Sequence, residues 1–206
     1  MQGLRLLLSA VLLSICAACG SSGGTPPVQD YPPARPRQPE RLSLALPGAT
    51  DPLDWWAGNI LSIVPEAVYP DTATAQQAGA LAQETNRLRT EAGLSPVTSL
   101  PLLNRVAQAH AMDQAIRDYW NHRTPEDLGS RDRIAAAGGE PVTKGGENSA
   151  VAYPGETSVE LVVLNFSLHP GHRDLFYDPD VRFTGVGIYN FAPSEQVHYV
   201  QLLVSF

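Results

Sequence analysis

Between residues 74 and 92, Ala78, Leu81, Thr85, Leu88 and Ala92 recur at three- and four-residue intervals, which predicts a helix with one buried stripe. Gly93 suits the position just past its end, and Pro96 cannot continue it. A second stripe of Leu102, Val106, Ala109, Met112, Ile116 and Trp120 predicts a helix starting near Ser99, with Pro101 in its first turn. A short third helix is expected over residues 131–137, capped by Ser130 and stopped by Gly138. A fourth opens on Thr157-Ser158-Val159-Glu160, a capping-box pattern with Glu160 as its reciprocal member. Val159, Val162, Val163 and Phe166 then repeat at helical spacing until Pro170 and Gly171 end it. Beyond that point the period shortens. Residues 184–191 and 198–206 are rich in Val, Tyr, Phe and Leu around a turn-prone segment, and read as an antiparallel hairpin. Helices followed by strands, with no internal repeat, make one α+β domain.

The amino-terminal part follows other rules. Arg5 precedes an apolar run over residues 6–15, too short to span a bilayer, so residues 1–18 read as an export signal. Ala17-Ala18-Cys19-Gly20 resembles a bacterial lipobox, although Cys16 replaces the usual aliphatic residue; an ordinary cleaved secretory signal is the alternative. Lipidation at Cys19 would anchor the chain to a membrane and leave no free thiol, hence no disulfide framework and no cysteine nucleophile. Gly20 after Cys19 favours the outer membrane if the cell has one. Residues 19–50 form a lipidated start and a Pro/Gly/Ser-rich tether. In the extension over 51–77, Trp55-Trp56 suggests either an interfacial aromatic pair or a segment packed on the outside of the main domain, and the packed reading is adopted. Residues 78–206 form the domain itself.

Charge removes one class of partner. Without residues 1–18 the chain carries 13 Lys and Arg against 21 Asp and Glu, a balance of −8. Phosphate binding needs clustered cations, so no nucleic acid is expected.

The candidate chemistry lies in three phrases, Tyr119-Trp120-Asn121-His122, Gly145-Gly146-Glu147-Asn148 and Pro170-Gly171-His172-Arg173. Two imidazoles and a carboxylate can share a proton, hold a divalent metal or orient a polar ligand. Each has a plain alternative as well. His122 can cap the second helix, Glu147 and Asn148 can bond loop amides, and His172 can start a turn. His169 is either a cleft ligand or an exposed helix-end residue. His110 reads as a hydrogen-bonded, semi-buried histidine, His198 as peripheral, and Arg173 as the partner of Asp174, Asp178 or Asp180. Ser149 lacks the Gly-x-Ser-x-Gly elbow of serine hydrolases, and no His-Glu-x-x-His helix occurs.

Asn86-Arg87-Leu88-Arg89, Ala92 to Pro96, Ala109 to Asp113, the three site phrases, Arg133 to Gly138, Gly185-Val186-Gly187 and Tyr199-Val200-Gln201 occur in an order and spacing that resembles the CAP superfamily, also called SCP or pathogenesis-related-1-like, in its bacterial form. The resemblance implies an α-β-α sandwich of about four helices and a small antiparallel sheet. It also implies a cleft lined by His122, Glu147 and His172. Many members carry a carboxylate three residues after a Trp on the helix before the last histidine. Here Phe166 and His169 occupy those places, and His169 can add a third imidazole. Zn²⁺ held by His122 and His172 is the one cofactor that the pattern raises.

On these grounds the chain reads first as a membrane-anchored extracytoplasmic module that binds a lipid, glycan or protein. The alternative is a peptidase-like hydrolase using the same cleft, with or without a divalent metal. A structural envelope protein, in which the cluster serves only the fold, is the third class. Oligomeric state has no signal.

Overall fold

Along residues 196–205 the side chains alternate between two buried faces. Val197, Tyr199 and Leu203 pack with one set of helices, and Val200, Leu202 and Val204 with another. A strand apolar on both sides must lie between two layers, and this one is the centre of the fold. The structure, a computed structural model, describes residues 14–15, 51–65, 68–153, 155 and 157–206. Cys19, the tether and all of the expected export signal except the backbone of 14–15 lie outside the described residues.

In chain order the elements are β1 (Ser14–Ile15), α1 (Pro52–Asn59), a 3-10 turn (Leu61–Ile63), α2 (Thr72–Glu91), β2 (Thr98–Ser99), α3 (Pro101–Arg117), α4 (Ser130–Ala136), β3 (Lys144–Ala152), α5 (Val159–Leu168), α6 (Pro170–Phe176), β4 (Phe183–Phe191) and β5 (Gln196–Ser205). The sheet order is β1-β3-β5-β4-β2. Its three long strands are antiparallel, with Glu147 opposite Leu202 and Gly187 opposite Val200. The short β2 runs parallel to β4, so the sheet is mixed and not purely antiparallel. Helices α2, α5 and α6 cover one face through Leu81, Val162, Phe166 and Phe176. Helices α1, α3 and α4 cover the other through Trp56, Val106, Ala107 and Ile134. The result is an α+β sandwich of α-β-α type.

Four local expectations change. Pro170 and Gly171 do not simply end a helix. The chain leaves α5 at Leu168, and Pro170 occupies the first turn of α6, where its missing N–H costs no bond. His172 therefore sits inside a helix. Ser158, not Thr157, caps α5 by accepting from the Leu161 N–H, and Gly129 with Asp132, not Ser130, caps α4. Trp120 lies beyond α3, which stops at Arg117 because Asp118 turns left-handed at φ 57°.

Helix α3 is buried nearly all round, from Val106 to Ala115 without a break. Two glycines of β4 let it lie against the sheet. A Cβ on Gly185 would come 2.2 Å from the Leu103 carbonyl carbon, and one on Gly187 equally close to that of Ala107. Asn104 and Gln108, one helical turn apart, then reach β4 itself. Asn104 accepts from the Val186 N–H at 2.9 Å, while Gln108 accepts from the Ile188 N–H at 2.8 Å and donates to its carbonyl at 2.9 Å. The open edge of β4 beyond its two-residue partner is closed by helix side chains.

Candidate functional site

A helix buried all round must satisfy its polar side chains internally, and α3 does so by organising the loop that follows it. Gln114 donates to the Asn121 carbonyl at 3.0 Å, and His110 Nε2 lies 3.1 Å from the same oxygen. The Tyr119 hydroxyl donates to Asp113 at 2.5 Å. The loop over residues 119–122 is thus pinned at both ends, and its last residue is His122.

Glu147 faces that loop from β3. Its Oε1 lies 3.0 Å from His122 Nδ1 and 3.5 Å from His110 Nε2, and its Oε2 accepts from the Arg133 guanidinium at 2.5 Å. Arg133, fully buried on α4, also donates to the carbonyls of His122 and Leu128 at 3.0 and 2.7 Å. Burial pushes the Glu147 carboxyl up, but Arg133, His110 and His122 outweigh it and hold the group at about 2. An ionised carboxylate only accepts, so His122 Nδ1 is the donor and the neutral tautomer of that ring leaves Nε2 unprotonated.

The neighbouring residue of a strand points to the opposite face, and Asn148 accordingly meets α6. Its amide donates to the His172 carbonyl at 3.4 Å. His172 is fully buried, edge-on to Phe166 at 5.2 Å and to His122 at 5.8 Å between ring centroids. His169, at the α5–α6 junction, sits half-buried with its ring 4.7 Å from that of His172. Burial, reinforced by His122 and His169, pushes the His172 imidazole down to about 3, so it is neutral. Both His172 ring nitrogens, His169 Nδ1 and Asn148 Oδ1 are buried and find no hydrogen-bond partner among the described residues.

All four histidine and glutamate positions raised by the sequence thus converge from two faces of the sheet around β3. Asn148 joins them. Two contributors were missed. Arg133 lies in a stretch where Arg131 and Asp132 are exposed, and nothing in the chain marks it as buried; the need of a buried Glu147 for a cation was the only pointer. His110 is not semi-buried but wholly enclosed and pushed down to about 3, chiefly by burial. His198 is not peripheral: it is buried with Nδ1 3.5 Å from Gln114 Oε1. The Ser149 hydroxyl, buried, is engaged by Gln114 and Trp120 at 3.2 Å each. Arg173 pairs on the surface with Asp174. Trp56 is fully buried and Trp55 half-buried, both packed against the main domain.

Comparison with known proteins agrees with this architecture. The family profile described as CAP, the cysteine-rich secretory protein family, matches residues 82–203. No curated protein sequence matches the chain. Among solved structures, an SCP-domain extracellular protein from Bacillus anthracis is similar at 20% identity and a TM-score of 0.56, over 65% of this chain and 41% of its own. An outer surface protein from Borrelia burgdorferi is similar at 17% identity and 0.58, over 64% and 94%. A cysteine-rich secretory protein from Staphylococcus aureus gives 17% and 0.52, over 66% and 40%. The chain spans only about two fifths of the Bacillus and Staphylococcus chains.

Proposed function

The chain belongs to the CAP, or cysteine-rich secretory protein, family, and on that premise we propose that it is an exported, membrane-anchored binding module. Its ligand, a lipid, glycan or protein group, pairs with the imidazoles of His122, His172 and His169 and with Asn148. One observation carries this reading. A folded protein leaves few buried polar atoms unpaired, because each costs about 1–3 kcal/mol, and here both His172 nitrogens, His169 Nδ1 and Asn148 Oδ1 cluster without partners. The neutral His172 imidazole can donate or accept, which suits a polar but uncharged ligand group. The test is histidine side-chain NMR during titration with phospholipid micelles, cell-wall glycan fragments and extended peptides. One class is expected to move the His172 and His169 resonances, and His122→Ala with His172→Ala to weaken that binding by about tenfold or more. Resonances unmoved by all three would sink the reading.

Anchoring rests on the apolar run over residues 6–15 and on Cys19, since no helix among the described residues is long and apolar enough to cross a membrane. Cys19→Ser is expected to shift the protein from the detergent phase to the aqueous phase on phase partition.

A second reading, a hydrolase, draws on the His122–Glu147 pair, in which a buried carboxylate orients an imidazole as in a general base. Cleavage of a broad peptide library by purified protein, lost in His122→Ala, is its expected outcome. A divalent ion fits the site in part. His122 and His172 would hold it, with Glu147 orienting His122 from behind, and a bound ion would polarise a ligand oxygen. Among the described residues, however, no group of three His, Cys, Asp or Glu is placed to hold a metal. Native mass spectrometry of chelator-free protein with Zn²⁺ tests this directly.

A further inference from the structure

The matched family region begins at residue 82, yet helix α1 lies wholly before it and sends a buried side chain toward the site. Trp56 is fully enclosed, and its indole N–H donates to Asp113 Oδ2 at 3.3 Å. Asp113 is itself fully buried on α3. It also accepts from Arg117 at 2.5 and 2.7 Å and from the Tyr119 hydroxyl at 2.5 Å. The Tyr119 hydroxyl oxygen also lies 3.3 Å from His110 Nδ1. His110 in turn contacts the Asn121 carbonyl and Glu147. The second tryptophan supports the same point, because the Arg117 guanidinium stacks over the Trp55 ring at 4.7 Å and also binds Glu126.

From this geometry we infer that Trp56 is a positioning residue for the cleft histidine His122, acting from the amino-terminal extension through Asp113 and Tyr119. A buried carboxylate must have its lone pairs satisfied to stay in place. Trp56 and Arg117 fix the rotamer of Asp113, Asp113 fixes Tyr119, and Tyr119 opens the four-residue loop that ends at His122. The extension thereby holds the cleft in register, beyond covering apolar surface. The inference rests on the geometry of the site and not on what the site binds, so it stands or falls separately from the binding reading.

The experiment uses the full chain with isotope-labelled histidine and follows solvent exchange of the His122 Nδ1 proton bonded to Glu147. Trp56→Phe keeps an aromatic ring in place and removes the donor. It is expected to speed exchange about tenfold, the size of one hydrogen bond to a charged acceptor. Tyr119→Phe, which breaks the same chain outside α1, is expected to do likewise. The double variant should show little further change, because neighbours in one chain are not additive. Leu53→Ala, which trims α1 without touching Asp113, should lower the melting temperature and leave the proton unaffected. Unchanged exchange in Trp56→Phe, or effects that multiply in the double variant, would overturn the inference. Should Trp56→Phe fail to fold, Tyr119→Phe decides: an unaltered His122 signal there removes the link.

Discussion

Glu147 keeps its charge in a dry place because Arg133, His122 and His110 surround it. Glu147→Gln would preserve the shape but leave the fully buried guanidinium without its counter-charge, and a broken buried pair costs about 3–5 kcal/mol. Urea denaturation should register a loss of that order. The same enclosure sets an acid limit. His110 and His172 stand at about 3 when folded against 6.5 ordinarily, and Glu147 at about 2 against 4.5. In each case the unfolded chain binds the proton first. The stabilisation is therefore complete above 6.5, and the imidazole part is lost as pH falls from there toward 3. The denaturation midpoint is expected to drop steadily between pH 6.5 and 4, and to drop less in His172→Phe; a flat profile would contradict the neutral burial of these rings. His122, Glu147 and His172 were legible because each sits in a distinctive phrase. Arg133 and His110 were not: a charge in a helical stretch reads as solvated until its partner across the fold is known, and His110 read as hydrogen-bonded and semi-buried without a link to the site.

The long helices were legible from apolar spacing to within a few residues, as α2 at Thr72–Glu91 shows. What the spacing hid is that α3 has no solvent side. A stripe marks one buried face, whereas this helix lies between the sheet and two further helices and buries Gln108, His110, Asp113 and Gln114 with its alanines. That burial depends on β4 having no side chain at two positions. Gly187→Ala would set a methyl 2.2 Å from the Ala107 carbonyl carbon and force backbone apart, destabilising by about 1–3 kcal/mol or more. Gly79→Ala, in α2 with no atom within 4 Å of the new methyl, should instead stabilise by about 0.5–1 kcal/mol through helix propensity. Opposite signs in thermal melts are the expected result. The α5–α6 junction was misread for a related reason: Pro170 ends one helix and begins the next, and sequence spacing alone does not distinguish the two.

At the scale of the molecule, the α+β class could be read from helices followed by strands, but the sheet order could not. Strand β2 is two residues long and pairs in parallel, too short to leave a periodic trace. The amino-terminal extension is part of the folded unit: Trp56, Ile60, Leu61 and Val64 share a core with Val106 and Ile134. Each large apolar side chain contributes about 1.5–3 kcal/mol on burial. Removing residues 51–64 is accordingly expected to lower the melting temperature by about 10 °C or more. Unaltered melting would show the extension to be dispensable. The capping of β4 by Asn104 and Gln108 has its own consequence wherever many copies meet. An unguarded strand invites a neighbouring molecule to continue its ladder, and successive copies can then stack into fibrils. Two amide side chains deny that template here, so loss of Gln108 should surface first as self-association at high concentration, before any defect in the individual molecule.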